Sequence, residues 1–224
     1  MKVLITGCSW VQSMKQQKTS FDFELKSFGG RGIFYLNNYL KTNDINQYEH
    51  VVVQLPTPIR NNISSSSTTE RFNVFINEIN KTSEEKTAQK YLEQFKEQVL
   101  EISKLHKNVI FFLYNVGGYP FRHPYDFGDK ADEQFIDFFT EKKLKFIYLS
   151  FEGQSGFGVK EQVCDDEFWN YYHENNPSER SKEFQKYWSL ISPAGVISID
   201  PHPNHKADKI ALNSIKNYIS GESK

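Results

Sequence analysis

The sequence predicts an α/β fold: a central, mostly parallel sheet with helices on both faces, a three-layer α/β/α sandwich. Three observations predict it. Short apolar runs alternate with longer segments of three- and four-residue periodicity from end to end, the succession that builds parallel sheets covered by helices. The run "HVVVQL" (50–55) is apolar and β-branched without alternation, as expected of a strand covered on both faces. Long loops rich in Gly, aromatic or Ser/Thr residues follow strand candidates, where the carboxyl edge of such a sheet builds its binding crevice.

Taken in order, "KVLIT" (2–6) is the first strand and "FELKSF" (23–28) a weaker second. "HVVVQL" is the third, and the loop 56–70 after it carries a Ser/Thr-rich low-complexity stretch. "EEKTAQKYLEQFKEQVLEISKLH" (84–106) is the clearest helix, because Tyr91, Leu92, Phe95, Val99, Ile102 and Leu105 make one apolar face. The strand "NVIFFLY" (108–114) leads through the loop 115–130 to the helix "ADEQFIDFFTEKK" (131–143). The strand "KFIYLSF" (145–151) leads through the loop 152–177 to the helix "SERSKEFQKYWSLI" (178–191). "GVISID" (195–200) is the last strand and "HKADKIALNSIKNYI" (205–219) the last helix. No internal repeat is present, and the 224 residues read as a single domain, 1–224.

Composition narrows the function classes. Hydrophobic residues are 38% and aromatics 15%, enough for a large core. A net charge of −1 and the lack of a dense Lys/Arg stripe give no reason to expect a nucleic-acid partner. No run approaches the roughly 18 apolar residues of a membrane span. Two cysteines, Cys8 and Cys164, do not make a disulfide framework, and a reducing, cytoplasmic setting is the expectation.

The first strand ends in "GCSW", and three chemistries compete for that turn. A lipid-anchor box before Cys8 needs a charged start and an apolar stretch of about 7–15 residues; with seven residues before Cys8, none is expected. A dinucleotide-binding turn needs further glycines, yet Trp10 and Ser13 stand where they would fall. None of the twelve tyrosines opens a Tyr-x-x-x-Lys pair, so no cofactor is expected. The third reading is a serine nucleophile, which needs an imidazole within hydrogen-bond reach and a carboxylate to hold that imidazole. Asp200 and His202 supply both groups between the last strand and the last helix, and Pro201 and Pro203 stiffen the turn around His202.

These blocks resemble the SGNH (GDSL-type) hydrolase superfamily, which carries Gly-Asp-Ser after strand one and an Asp/His pair before the final helix. "GCSW" is similar to the first block with Cys8 in place of Asp, "GGRG" (29–32) to the second, and "DPHPNHKADKIA" to the last. The resemblance implies a flavodoxin-like sandwich and a serine esterase without a cofactor or metal. Ser9 would attack the acyl carbon, His202 would take its proton and Asp200 would orient His202. The amides of Ser9 and Gly30 would bind the oxyanion. The sequence departs from the family in two places. "VVVQLPTPIRNN" stands where a Gly-x-Asn turn belongs, leaving Gln54, Thr57, Arg60 or Asn61 as the further donor, with Gln54 and Thr57 nearest the strand end. The last block is Asp-x-His rather than Asp-x-x-His.

The substrate class the resemblance implies is a short acyl ester, acetyl above all, on a small molecule or carbohydrate. A sugar O-acyltransferase on the same residues and a non-catalytic binding module of the same fold are the alternatives. The residues have plainer readings too. Ser9 would serve as a helix N-cap, and Cys8 as a small buried filler or, alternatively, a thiol nucleophile. His205 would open the last helix or replace His202 as base, and His123 reads as a loop residue. The aromatics of "FWNYY" (168–172) would pack the loop or stack on a sugar. His202, His205 and Asp200 match a zinc site poorly.

Overall fold

The structure, a computed structural model, describes residues 1–17, 19–29, 31–56, 81–82, 84–115, 128–150 and 205–221. Among them, β1 (Lys2–Gly7), β2 (Asp22–Ser27), β3 (His50–Gln54), β4 (Val109–Asn115) and β5 (Phe146–Ser150) form one sheet in the order β2-β1-β3-β4-β5. Every pairing is parallel. The helices are α1 (Ile33–Thr42), α2 (Glu84–Ser103), α3 (Gly128–Glu141) and α4 (His205–Ser220), and a 3-10 helix spans Ser9–Gln16.

The two faces of the sheet follow from the two-residue side-chain period of a strand. Leu4, Val51, Val53, Val109, Phe111 and Leu113 point into one core with Ile33, Leu36 and Leu40 of α1, Phe95 and Val99 of α2, and Phe139 of α3. Val3, Ile5, Val52, Ile110, Phe112 and Ile147 point the other way, onto Val11 and Met14 of the 3-10 helix and Ala211, Leu212 and Ile215 of α4. Both faces are covered, which is why β3 and β4 read as unbroken apolar runs. The expected α/β/α layering is what the chain adopts, and its strand order is the flavodoxin-like one.

Three elements differ from expectation. The segment after the first strand is a 3-10 helix, and α3 begins at Gly128, inside the stretch read as loop 115–130. α1 was not among the helices the periodicity marks out. Its buried residues are Ile33, Leu36, Asn37 and Leu40, so a polar residue interrupts the apolar stripe. Asn37 is tolerated there because its Nδ2 donates to Gln98 Oε1 at 2.6 Å and to Glu101 Oε2 at 2.7 Å across the α1–α2 contact. The weak second strand lies at the sheet edge, where charge is tolerated. There Lys26 pairs with Glu24 at 2.9 Å, and the Tyr48 hydroxyl donates to Glu24 at 2.6 Å. Those two hydrogen bonds, Tyr48 first, hold the Glu24 carboxyl below its usual range. The strand 195–200, the helix 178–191 and the loop 152–177 lie outside the described residues, as do nearly all of the loops 56–70 and 115–130.

At the amino edge of the sheet, His50 opens β3 and its Nδ1 is buried with no hydrogen-bond partner among the described residues. Desolvation, helped by the nearby Lys145 and His106 and opposed by Glu49, lowers its pKa. The unfolded chain then binds the proton more readily than the folded one. The associated stability is complete above the unfolded value of about 6.5 and is lost as pH falls below it. Urea midpoints at pH 7.5 and 5.5 test this: His50→Gln is expected to lose less stability over that interval than the unaltered chain.

Candidate active site

The turn after β1 lies where the strand order reverses. β1 sits between β2 and β3, so the connections leaving β1 and β3 diverge to opposite faces and open a crevice at their carboxyl ends. Cys8 occupies the N-cap of the 3-10 helix with extended backbone (φ −78°, ψ −168°) and makes no side-chain capping bond. Ser9 is therefore the first helical residue and not the cap. Its N–H is among those that a helix start leaves without an intrahelical acceptor.

This turn is held from both flanking strands. On the β3 side Gln54, 3% exposed, accepts a hydrogen bond from Cys8 N at Oε1 (3.0 Å), while its Nε2 donates to the Leu55 carbonyl (2.6 Å). The Cys8 N–H can only donate and the Leu55 carbonyl can only accept, so the two contacts together fix which way the carboxamide points. On the β2 side the Ser27 hydroxyl donates to the Cys8 carbonyl at 3.1 Å, and Phe28 N donates to the Gly7 carbonyl at 2.9 Å. The first 3-10 bond, from Val11 N at 3.3 Å, also ends on the Cys8 carbonyl.

Gly7 is dictated by this packing. A Cβ on it would stand 2.6 Å from Gln54 Cβ and 2.7 Å from Gln54 Oε1. Only a residue without a side chain lets β1 and the Gln54 side chain approach so closely. Cys8 is a free thiol, 2% exposed, which fits the buried filler; a reactive thiol sits in a partly exposed setting.

The sequence-derived residues are thus placed in part. Ser9 and Gln54 come to the carboxyl ends of the adjacent strands β1 and β3, and Gln54 does so with its carboxamide engaged by the turn itself. Gly30, Thr57, Arg60, Asn61, His123, Asp200 and His202 lie outside the described residues. His205 opens α4, which packs on the 3-10 helix that Ser9 begins. Sequence reasoning missed Ser27 and the bracing part played by Gln54. The signal for Ser27 was a small hydroxyl at the end of a strand in register with Gly7. It also passed over Asp208, a carboxylate in the first turn of α4 with no exposed surface.

Among the described residues no group of three or more His, Cys, Asp and Glu is placed to hold a metal, and no helix is long and apolar enough to cross a membrane. A cleft of about 520 Å³ lined by Lys104, His106 and Lys107 lies at the opposite, amino edge of the sheet, away from Ser9.

Gln54→Leu removes the acceptor of the buried Cys8 N–H while keeping side-chain bulk. An unsatisfied buried amide costs about 1–3 kcal/mol. The expected outcome is an unfolding free energy, measured by urea denaturation, lowered by that amount with the fold retained.

No protein-family model and no curated protein sequence matches the chain. Several solved structures are similar to it, among them the three that follow. The protein YxiM from Bacillus subtilis has a TM-score of 0.44 at 12% identity, over 96% of this chain and 56% of its own. A carbohydrate esterase, described as having divergent catalytic and non-catalytic binding functions in its active site, has a TM-score of 0.39 at 10% identity, over 79% of this chain and 69% of its own. The acetyl xylan esterase Est2A from the rumen bacterium Butyrivibrio proteoclasticus has a TM-score of 0.35 at 13% identity, over 66% of this chain and 55% of its own. The chain thus spans little more than half the length of the first and third of these. Likeness at this level assigns no activity.

Proposed function

We propose that the chain is a single-domain serine hydrolase of the SGNH type that cleaves a short acyl ester through an acyl-Ser9 intermediate. One observation carries the reading: the Gly7–Cys8–Ser9 turn starts a helix at the switch point of the sheet and is clamped there by Gln54 and Ser27. A nucleophile elbow needs that combination, a rigid backbone that holds a hydroxyl at the edge of the crevice.

In this mechanism His202 takes the Ser9 hydroxyl proton as Ser9 attacks the acyl carbon, and Asp200 orients the imidazole. His202 returns the proton to the departing alcohol. Water, deprotonated by the same imidazole, then releases the acid and restores Ser9. The Ser9 and Gly30 amides receive the developing oxyanion, with Thr57 or the second Nε2 hydrogen of Gln54 as further donor; one such donor is worth about 10²–10³ in rate. Two residues, Pro203 and Asn204, separate His202 from His205, a span of at most about 11 Å, and α4 packs on the Ser9–Gln16 helix. That tether supports His202 as the partner of Ser9.

The acyl group in this proposal is acetyl and its carrier a small molecule or carbohydrate, as the motif resemblance implies. A cytoplasmic setting, in which Cys8 stays a thiol, belongs to the same reading. The test is p-nitrophenyl acetate turnover by the unaltered chain and by Ser9→Ala, His202→Ala and Cys8→Ala. Turnover kept only in Cys8→Ala supports the proposal, and turnover lost only in Cys8→Ala overturns it.

A further inference from the structure

The turn that leaves β2 beside the elbow carries an aromatic cluster. Phe28, whose N–H holds the Gly7 carbonyl, stacks edge-on against Tyr35 (ring centroids 5.0 Å apart) and at a tilt against Tyr39 (4.7 Å). Tyr35 is 40% exposed and its neighbour Phe34 36%, the two most exposed large aromatics among the described residues. Over Tyr35 lies the Arg31 guanidinium, its Cζ 5.1 Å from the ring centroid. The Arg31 N–H donates to the Phe28 carbonyl at 3.2 Å, which ties the arginine into the same turn.

Arg31 makes no ion pair among the described residues. Glu24, on β2, is itself held by Lys26 and Tyr48. A guanidinium is charged at every accessible pH, and a ring contact engages its face, leaving the in-plane N–H groups for an oxyanion. Those donors form a fork matched to carboxylate or phosphate oxygens. An arginine stacked on an exposed ring and without an ion pair among the described residues, on the turn bonded directly to the elbow, suits recognition of a charged sugar ring.

We propose that Arg31 with Tyr35 and Phe34 forms the substrate's carrier subsite, and that the carrier is an anionic sugar ring bearing a carboxylate or phosphate. This deepens the esterase reading and rests on it for the link to Ser9, but binding is measured without turnover. The experiment titrates the full chain with D-glucuronate, D-glucose 6-phosphate and D-glucose by isothermal calorimetry. The unaltered chain is expected to bind at least one of the two anions tenfold or more tighter than glucose, and which one identifies the group. Ser9→Ala and the remote Lys142→Met keep that preference, Arg31→Lys keeps part of it, and Arg31→Met, folded by circular dichroism, loses it. No preference for either anion in the unaltered chain, or a preference that persists in Arg31→Met or Arg31→Gln, overturns the proposal. Anion binding that depends on Arg31 in a chain with no ester turnover would overturn the esterase reading and leave the subsite standing.

Discussion

Ser9→Ala is expected to lower kcat/KM on p-nitrophenyl acetate by about 10⁴-fold or more, with the fold unchanged. In the proposed mechanism the nucleophile and its base act as one unit, so His202→Ala is expected to cost a comparable factor, and the double variant little more than either alone. The clamp around Ser9 explains why so small a change should matter so much. The Ser9 backbone is fixed by bonds to its neighbours, from Cys8 N to Gln54 and to the Cys8 carbonyl from Ser27. Removing the hydroxyl therefore deletes the proposed reacting atom without releasing the turn. Steady-state kinetics with a thermal melt on each variant separates lost chemistry from lost structure. An unchanged kcat/KM in Ser9→Ala would exclude the acyl-serine route.

Gly7→Ala is expected to damage stability and activity together. Its new Cβ would fall 2.6 Å from Gln54 Cβ, so either β1 or the Gln54 side chain must move. Overpacking of this kind costs about 1–3 kcal/mol. Displacing the Gln54 carboxamide from Cys8 N adds about 1–3 kcal/mol for a buried amide left unpaired. A combined loss of about 4 kcal/mol lowers Tm by roughly 8–16 °C for a chain of this size. The clash is with the Gln54 side chain, so combining Gly7→Ala with Gln54→Gly should cost less than the sum of the two single changes. Strict additivity in urea denaturation would place the origin of the damage elsewhere.

The layers of the fold were legible because burial on two faces leaves a mark on single segments. The unbroken "HVVVQL" of β3 and the apolar stripe of α2 each declare their surroundings without reference to the rest of the chain. α1 was harder to see, since Asn37 sits on its buried side and is paid for only by Gln98 and Glu101 from another helix. Of the site, the Gly-x-Ser turn was visible as a local pattern. Its bracing was not, because Gln54 and Ser27 reach Cys8 through parallel pairing of β3 and β2 with β1, a register that no short stretch of sequence encodes. Gln54 read as an oxyanion donor from its place at a strand end; that its Oε1 also accepts from the turn was not legible there. The aromatic cluster on α1 escaped notice for a related reason. Phe28, Arg31, Tyr35 and Tyr39 come together only once the β2–α1 turn folds back on itself.

Ser9, and not its neighbour Cys8, is the proposed nucleophile. Labelling the chain with a fluorophosphonate, followed by peptide mass mapping, tests it most directly. A single adduct on the Ser9 hydroxyl is expected, greatly reduced in His202→Ala because the serine loses its base. An adduct on Cys8, or none on Ser9 in a chain that turns over p-nitrophenyl acetate, would contradict it.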